Sequence, residues 1–179
     1  MMNMTDKCRL IIDYIIYKTY QYNLNKEFLE QITMNMNRIQ RLLYLIQLEY
    51  MYHFKEAIID DEFYAWPSGP AIPEIYDIYE NLVANASFNP IKRTLIRKIP
   101  EQMQAVLDYV LERTNNIDTL DLVNISKVNN SPWYNVYNPD DENHIQIVPK
   151  NEISQYSKTV NPLTEFWGCC NNKKLVKQL

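Results

Sequence analysis

The chain has 179 residues, of which 46% are apolar and 22% charged, a composition typical of a globular protein rather than a disordered or membrane-spanning one. Eighteen basic residues against 22 acidic ones leave a net charge of −4, which disfavours a dedicated nucleic-acid binder. The two glycines, Gly69 and Gly168, cannot supply the glycine-rich phosphate loops of nucleotide-binding folds or the nucleophile elbow of α/β-hydrolases, so those classes are excluded.

Cysteine usage and the amino terminus both favour a reducing, non-secretory location. The three cysteines, Cys8, Cys169 and Cys170, are an odd number without the spacing of a disulfide framework. The start MMNMTDKCRL lacks the basic and small-residue signals of a secretory leader, and no apolar run approaches the length that spans a bilayer. We therefore expect a cytoplasmic protein.

Apolar residues recur at helical spacing along most of the chain. A helix over Cys8–Tyr22, with Thr5 as its N-cap, is followed by one over about 37–52 that is apolar on most sides and therefore central. Further helices are predicted from Pro73 through Tyr79, Leu82 and Val83, after Pro100, over Thr119–Val128 and over about Lys150–Lys158.

Strand signals are confined to short segments. Residues 57–59 with 63–65, and residues 144–148, are the extended candidates. The fold class predicted is mainly α, a compact single-domain helical fold over residues 1–160 with at most one small β-hairpin. Residues 161–179 form a C-terminal extension, and the sequence leaves open whether it is ordered alone or only on binding.

Few side chains could carry out catalysis. His53, at the end of the central helix, is predicted to be a cap or a partly buried structural residue. His144, with the acidic residues of the turn 140–143, and the cluster Asp60, Asp61 and Glu62 are predicted to be solvated. A metal-dependent hydrolase using these groups is the enzymatic alternative, but no convergent ligand set is visible. We expect no enzyme, no cofactor and no metal site.

Two basic clusters suggest contacts with partners. Lys92, Arg93, Arg97 and Lys98 form a patch that is either a solvated face or a contact for an acidic partner, and Lys173, Lys174 and Lys177 lie near the carboxyl end. A DNA-binding repressor remains an alternative that the net charge disfavours.

The most informative stretch is residues 64–76, YAWPSGPAIPEIY. Gly69 lies between two prolines and just before a helix, which predicts an extended or positive-φ backbone there. Trp66, Tyr64 and Tyr76 lie close by in sequence. Trp66 fills the core of a rigid corner or belongs to a preformed aromatic interface, and both interpretations stay open.

The same stretch carries a resemblance to a known family. The segment 39–44 (IQRLLY), then Ala65–Trp66, Gly69–Pro70 and the segment 73–76 (PEIY) are similar to the pattern LQKLLY … AW..GPV.PEVY of the Panacea-domain, or SocA-like, antitoxins. Looser matches occur at 125–129, at Pro132–Trp133, and at Ile147, Ile153 and Tyr156, so the resemblance covers about residues 8–158. Ala71 replaces the family's usual valine, and Asn129 its usual histidine.

The resemblance implies a mainly helical protein that binds and neutralises a toxin encoded beside it. Members pair with many unrelated toxins, one acts as an adaptor that delivers its toxin to a protease, and many are carried by phages and mobile elements. Some members have an additional N-terminal DNA-binding module, for which this sequence shows no counterpart.

The function expected is therefore a non-enzymatic protein-binding module of the antitoxin type. The alternative is a phage or mobile-element inhibitor of a host defence system, of the anti-CRISPR type, on the same scaffold. The partner is a protein, with no membrane and no direct nucleic-acid binding expected; its identity and the oligomeric state stay open. The residues expected to shape the partner contact are Tyr64, Trp66, Ser68, Gly69, Pro70, Glu74, Tyr76 and Trp133.

Overall fold

A computed structural model describes residues 5–77 and 99–159. The helices in these ranges are α1 (Asp6–Asn23), a 3₁₀ helix (Phe28–Glu30), α2 (Met36–Phe54), α3 (Glu101–Thr114), α4 (Thr119–Ser126), α5 (Pro132–Val136) and α6 (Lys150–Thr159). Two strands, β1 (Tyr64–Trp66) and β2 (Gly69–Ala71), pair antiparallel. The mainly α, single-domain prediction with one hairpin is confirmed.

The predicted helix boundaries agree closely with the structure. Thr5 caps α1 by accepting a hydrogen bond from the Cys8 backbone N–H at 3.2 Å, as expected. Residues 74–77 begin a helical segment directly after Pro73. The rest of that predicted helix, including Tyr79, Leu82 and Val83, lies outside the described residues, as do the basic patch at 92–98 and the extension at 161–179.

Helix α2 is the central helix of the fold. Every residue from Arg38 to Met51 is buried, and the helix packs against α1, α3, α4, α6 and β2. Such complete burial agrees with the apolar residues on most of its sides. It also encloses polar side chains, each of which needs a hydrogen-bond partner to offset the cost of its desolvation.

Two glutamines of α2 satisfy this need by binding loop backbone. Gln40 donates to the Ile72 carbonyl and accepts from the Ile72 N–H, both at 2.9 Å. Gln47 accepts from the N–H groups of Ile58 and Ile59 and donates to the Ile59 carbonyl. These side chains therefore hold extended segments against the helix in the way that a neighbouring strand would.

The hairpin lies at a different place from the one predicted. The two strands join Tyr64–Trp66 to Gly69–Ala71 across the turn Pro67–Ser68, so the predicted pairing of 57–59 with 63–65 is wrong. Residues 58 and 59 give their N–H groups to Gln47 instead of to a strand. The remaining extended candidate, residues 144–148, pairs with β1 through one isolated antiparallel bridge, between Tyr64 and Ile147.

Helix α5 and the 3₁₀ helix were not predicted, because each is shorter than two turns and shows no periodicity. The start of α5 does carry a cap signal. Ser131 accepts a hydrogen bond from the Tyr134 N–H, and Pro132 occupies the first turn.

Near its carboxyl end, α2 buries a glutamate. Glu49 Oε1 lies 2.9 Å from His53 Nε2, one turn further along, while its Oε2 has no hydrogen-bond partner among the described residues. Burial raises the pKa of Glu49, and His53 and Arg113 partly oppose the shift. The sequence predicts a cap or a partly buried structural residue at His53, and the structure places its half-exposed side chain in this contact with Glu49.

None of the helices in residues 5–77 and 99–159 combines the length and apolar character that crossing a membrane requires.

Replacing Glu49 with glutamine should remove a pH-dependent loss of stability. Because the folded pKa of Glu49 lies above its ordinary value of 4.5, the folded protein holds this proton where the unfolded chain releases it. The contribution is fully present below about pH 4.5 and is lost as the pH rises through the folded pKa. Urea unfolding from about pH 4 to neutrality should show wild-type stability declining relative to E49Q. Parallel curves for the two proteins would contradict this assignment.

Candidate partner-binding site

The hairpin and the helical segment that follows it bring the predicted aromatic residues together. The rings of Trp66 and Tyr76 meet edge to face with centroids 6.3 Å apart. Trp66 is half-buried, and Tyr76 is 64% exposed. This geometry is favourable for an aromatic pair and leaves much of the Tyr76 ring free to contact another molecule.

The other predicted residues divide by exposure. Tyr64, Ser68 and Glu74 are half-buried and, with Trp66 and Tyr76, form what we call the hairpin surface. Gly69, Pro70 and Trp133 are buried. They can shape this surface from beneath, but in this structure they offer little area to a partner.

Trp133 supports the hairpin from α5. Its indole N–H donates to the Trp66 carbonyl at 2.9 Å, and its ring stacks on Tyr137 with centroids 4.5 Å apart. Lys127 places its ammonium 5.1 Å from the Trp133 ring centroid and donates to the Pro67 carbonyl. The backbone at the start of the turn is therefore fixed by side chains from the α4–α5 region.

Arg41 lies directly beneath the turn. This fully buried side chain of α2 donates from its two terminal nitrogens to the carbonyls of Ser68 and Pro70. No carboxylate within the described ranges forms an ion pair with it. Burial lowers the pKa of the Arg41 guanidinium to about 9, so it stays cationic at neutral pH. The hairpin is thus held by a positive charge that backbone dipoles stabilise.

Gly69 is the residue that lets the arginine approach. Its φ is +111°, in a region that residues other than glycine rarely adopt. The sequence predicts an extended or positive-φ backbone at this position before Pro70. A Cβ placed there would lie 2.6 Å from Ser126 Oγ and closer still to the Arg41 guanidinium. Both the backbone conformation and the available space therefore require glycine.

Sequence reasoning did not single out Arg41 or Lys127 as supports of this site. One signal was available: Arg41 is a charged residue within the apolar run of the central helix, where burial demands partners. Lys127 carries no comparable signal, because its partners at 67 and 133 are distant in sequence.

One member of the acidic cluster at residues 60–62 has a structural role. Asp61 accepts hydrogen bonds from the Thr5 N–H at 2.8 Å and from the Thr5 hydroxyl at 2.5 Å. It thereby positions the residue that caps α1. Asp60 is exposed and lies 3.7 Å from the Lys7 ammonium, and Glu62 is exposed. Only Asp60 and Glu62 are therefore placed as the solvated rim that the sequence predicts.

The turn that contains His144 is also held by its own residues. Asp141 accepts hydrogen bonds from the N–H groups of Asn143 and Ile145, and His144 has a φ of +49°. Within residues 5–77 and 99–159, no group of three or more His, Cys, Asp or Glu side chains is placed to hold a metal ion. Cys8 is buried, and burial together with Asp61 raises the pKa of its thiol, which disfavours a reactive thiolate.

The protein is thus mainly helical and carries an aromatic surface on a hairpin whose backbone is held by buried and neighbouring side chains. Residues 39–134, which include α2, the hairpin and Trp133, match the family model for the antitoxin SocA-like, Panacea domain. The match covers more than half of the chain, and the protein belongs to this family. No curated protein and no solved structure matches the chain. Membership supports an antitoxin-like role with a protein partner, in a family that is generally non-enzymatic.

Gly69→Ala should destabilise the fold, because the backbone conformation costs more than about 1 kcal/mol and the crowding a further 1–3 kcal/mol or so. Ser68→Ala is the matched control, since it changes the neighbouring turn residue but keeps the carbonyl that Arg41 binds. Urea unfolding should place S68A near the wild type and G69A well below it. Equal stability of G69A and S68A would disprove the close packing against Arg41.

Asp61→Ala should lower the free energy of unfolding by about 1–2 kcal/mol, because it removes both bonds that position the α1 cap. Asp60→Ala removes only an exposed ion pair and should cost at most about 0.5 kcal/mol. Thermal unfolding of the two variants makes the comparison. A larger loss for D60A would show that Asp61 is not the structural member of the cluster.

Proposed function

We propose that this protein is an antitoxin-type binding protein that neutralises a single protein partner by covering it in a stoichiometric complex. The observation that carries the proposal is the hairpin surface. It presents Trp66 on a hairpin whose backbone carbonyls Arg41, Trp133 and Lys127 hold, and Tyr76 packs against Trp66 from the helical segment that follows. Membership in the SocA-like family supports the same function.

The physics of association favours such a surface. Tryptophan and tyrosine are enriched among the residues whose truncation costs most binding energy. A surface already held in one conformation loses little conformational entropy when it binds. The hairpin surface combines these properties, because its support consists of side-chain hydrogen bonds to backbone carbonyls, in which the rings of Trp66 and Tyr76 take no part.

The partner is identified by purifying the tagged full chain from its native host and analysing the co-eluting proteins by mass spectrometry. A small stoichiometric protein whose toxicity the chain suppresses on co-expression would support the antitoxin function. A host nuclease or another defence complex would instead favour an inhibitor of host defence. A protein that elutes alone would count against both functions.

Trp66→Ala and Tyr76→Ala should each weaken binding of that partner more than tenfold, the effect of losing about 2 kcal/mol at an interface hot spot. Isothermal titration calorimetry measures the loss. Tyr52→Ala is the control, since Tyr52 is a half-buried tyrosine near the carboxyl end of α2, eleven residues beyond Arg41.

The fold of W66A should be retained, because Trp133 binds the Trp66 carbonyl, which alanine keeps. Trp133→Ala should instead lower the free energy of unfolding by about 3–5 kcal/mol, as large buried aromatic residues do. Unfolding of W66A itself would assign Trp66 to the core. Unchanged affinity in folded W66A and Y76A would exclude the hairpin surface from the interface.

A further inference from the structure

The connection between α1 and α2 has a well-defined conformation. Asn23, at the end of α1, binds both backbone groups of Ile32: its Oδ1 accepts from the N–H at 2.8 Å, and its Nδ2 donates to the carbonyl at 2.9 Å. Gln31 also donates to the Lys26 carbonyl. The intervening residues are thus closed into a loop around the 3₁₀ helix.

This closed loop exposes large apolar side chains. Phe28 is 84% exposed, Leu29 is 94% exposed, and Leu24 at the base of the loop is also exposed. We call these three residues the loop patch. Isolated apolar residues on a surface are ordinary, but a group of them on one structured loop is characteristic of interaction sites.

The charges around the loop patch are predominantly negative. Glu27 and Glu30 directly flank Phe28 and Leu29, and both are exposed. The nearest lysine, Lys26, is half-buried, with its ammonium 5.0 Å from the Tyr22 ring centroid. A complementary surface would therefore be an apolar pocket with lysine or arginine at its rim.

A cavity of about 490 Å³ lies beside the same loop. It is open to solvent and is lined by the loop, by Arg38 near the start of α2 and by residues 115–119 at the ends of α3 and α4. Arg38, a buried residue in its wall, donates to the carbonyls of Thr114 and Ile117, and its Nε makes no hydrogen bond among the described residues. The cavity therefore offers polar groups beside the protruding apolar ones.

The cavity and the hairpin surface are joined by shared supports. Arg38 and Arg41, one turn apart on α2, hold the cavity wall and the hairpin respectively. Helix α4 begins at the cavity with Thr119 and ends at Ser126, beside Gly69. Its length between these residues is about 10 Å, at about 1.5 Å per residue. A standard interface buries about 800 Å² per partner, so one protein partner can extend its contacts beyond the hairpin surface.

We infer that the loop patch and the cavity beside it are a second contact region for the same protein partner, which presents an apolar pocket rimmed by basic residues. This inference rests on the proposed function, since it takes the partner to be the protein that binds the hairpin surface. The loop patch precedes residue 39, where the match to the family model begins, whereas residues 115–119 of the cavity lie within the matched range.

A second copy of the chain fits the patch less well. A symmetric contact would bring the Glu27 and Glu30 carboxylates of both copies together, and like charges oppose association.

The test uses the full chain and the partner purified with it. The double variant Phe28→Ala/Leu29→Ala should bind at least tenfold more weakly with an unchanged melting temperature, because both side chains are exposed. Glu27→Gln/Glu30→Gln should slow association and reduce its dependence on salt. Glu101→Gln is the control. Glu101 is an exposed carboxylate at the first residue of α3, and the cavity lies beyond the opposite, carboxyl end of that helix.

The comparison with W66A distinguishes the two proposals. Unchanged binding by F28A/L29A, with W66A weakened, would overturn this inference and leave the proposed function intact. Weakened binding by F28A/L29A, with W66A and Y76A unchanged, would retain the loop patch and exclude the hairpin surface. A wild-type chain that retains no protein would overturn both proposals.

Two further measurements identify other occupants. A wild-type dimer that F28A/L29A converts to monomer in analytical ultracentrifugation would assign the loop patch to a second copy. Faster hydrogen exchange at residues 24–33 in the unbound variant K173Q/K174Q/K177Q would assign it to the chain's own basic carboxyl segment. Either result would overturn the inference.

Discussion

The turn of the hairpin depends on one buried cation. Arg41 reaches from the central helix to the carbonyls on both sides of Gly69 and thereby fixes the hairpin against α2. Gln40 and Gln47 do the same for neighbouring extended segments, at Ile72 and at residues 58–59. A buried backbone needs hydrogen-bond partners, and a two-stranded hairpin cannot provide them all. In this fold, side chains of the central helix replace the missing strands.

This arrangement separates the supporting residues from the residues available for contact. The turn is held through main-chain carbonyls, by Arg41 from below and by Trp133 and Lys127 from the side. The rings of Trp66 and Tyr76 take no part in that support. Substitutions of these two rings can therefore change what the surface binds while the hairpin backbone keeps its hydrogen bonds, which is a useful property for a binding protein.

The sequence predicted the longer helices well because their apolar residues recur with the period of an α-helix. Thr5 also marks the start of α1, because threonine is a common N-cap residue. It misplaced the hairpin because the partner of Ile58 and Ile59 is the Gln47 side chain, and such long-range bonds leave no local pattern. The composition of residues 64–76 pointed to the aromatic cluster, which the structure brings together. It could not show that Trp133 is buried, since exposure depends on packing between distant segments.

The contact between Arg41 and Gly69 also limits how related sequences can diverge. A side chain at position 69 would clash with the Arg41 guanidinium and would also require an unfavourable φ. The clash with the guanidinium remains as long as the arginine is present. Loss of Arg41 removes one of the two close contacts, leaves Ser126 Oγ in place, and deprives the carbonyls of Ser68 and Pro70 of their donor. Substitutions at positions 41 and 69 therefore have a preferred order. Another side chain must first be able to donate to the turn carbonyls before either Arg41 or Gly69 is replaced.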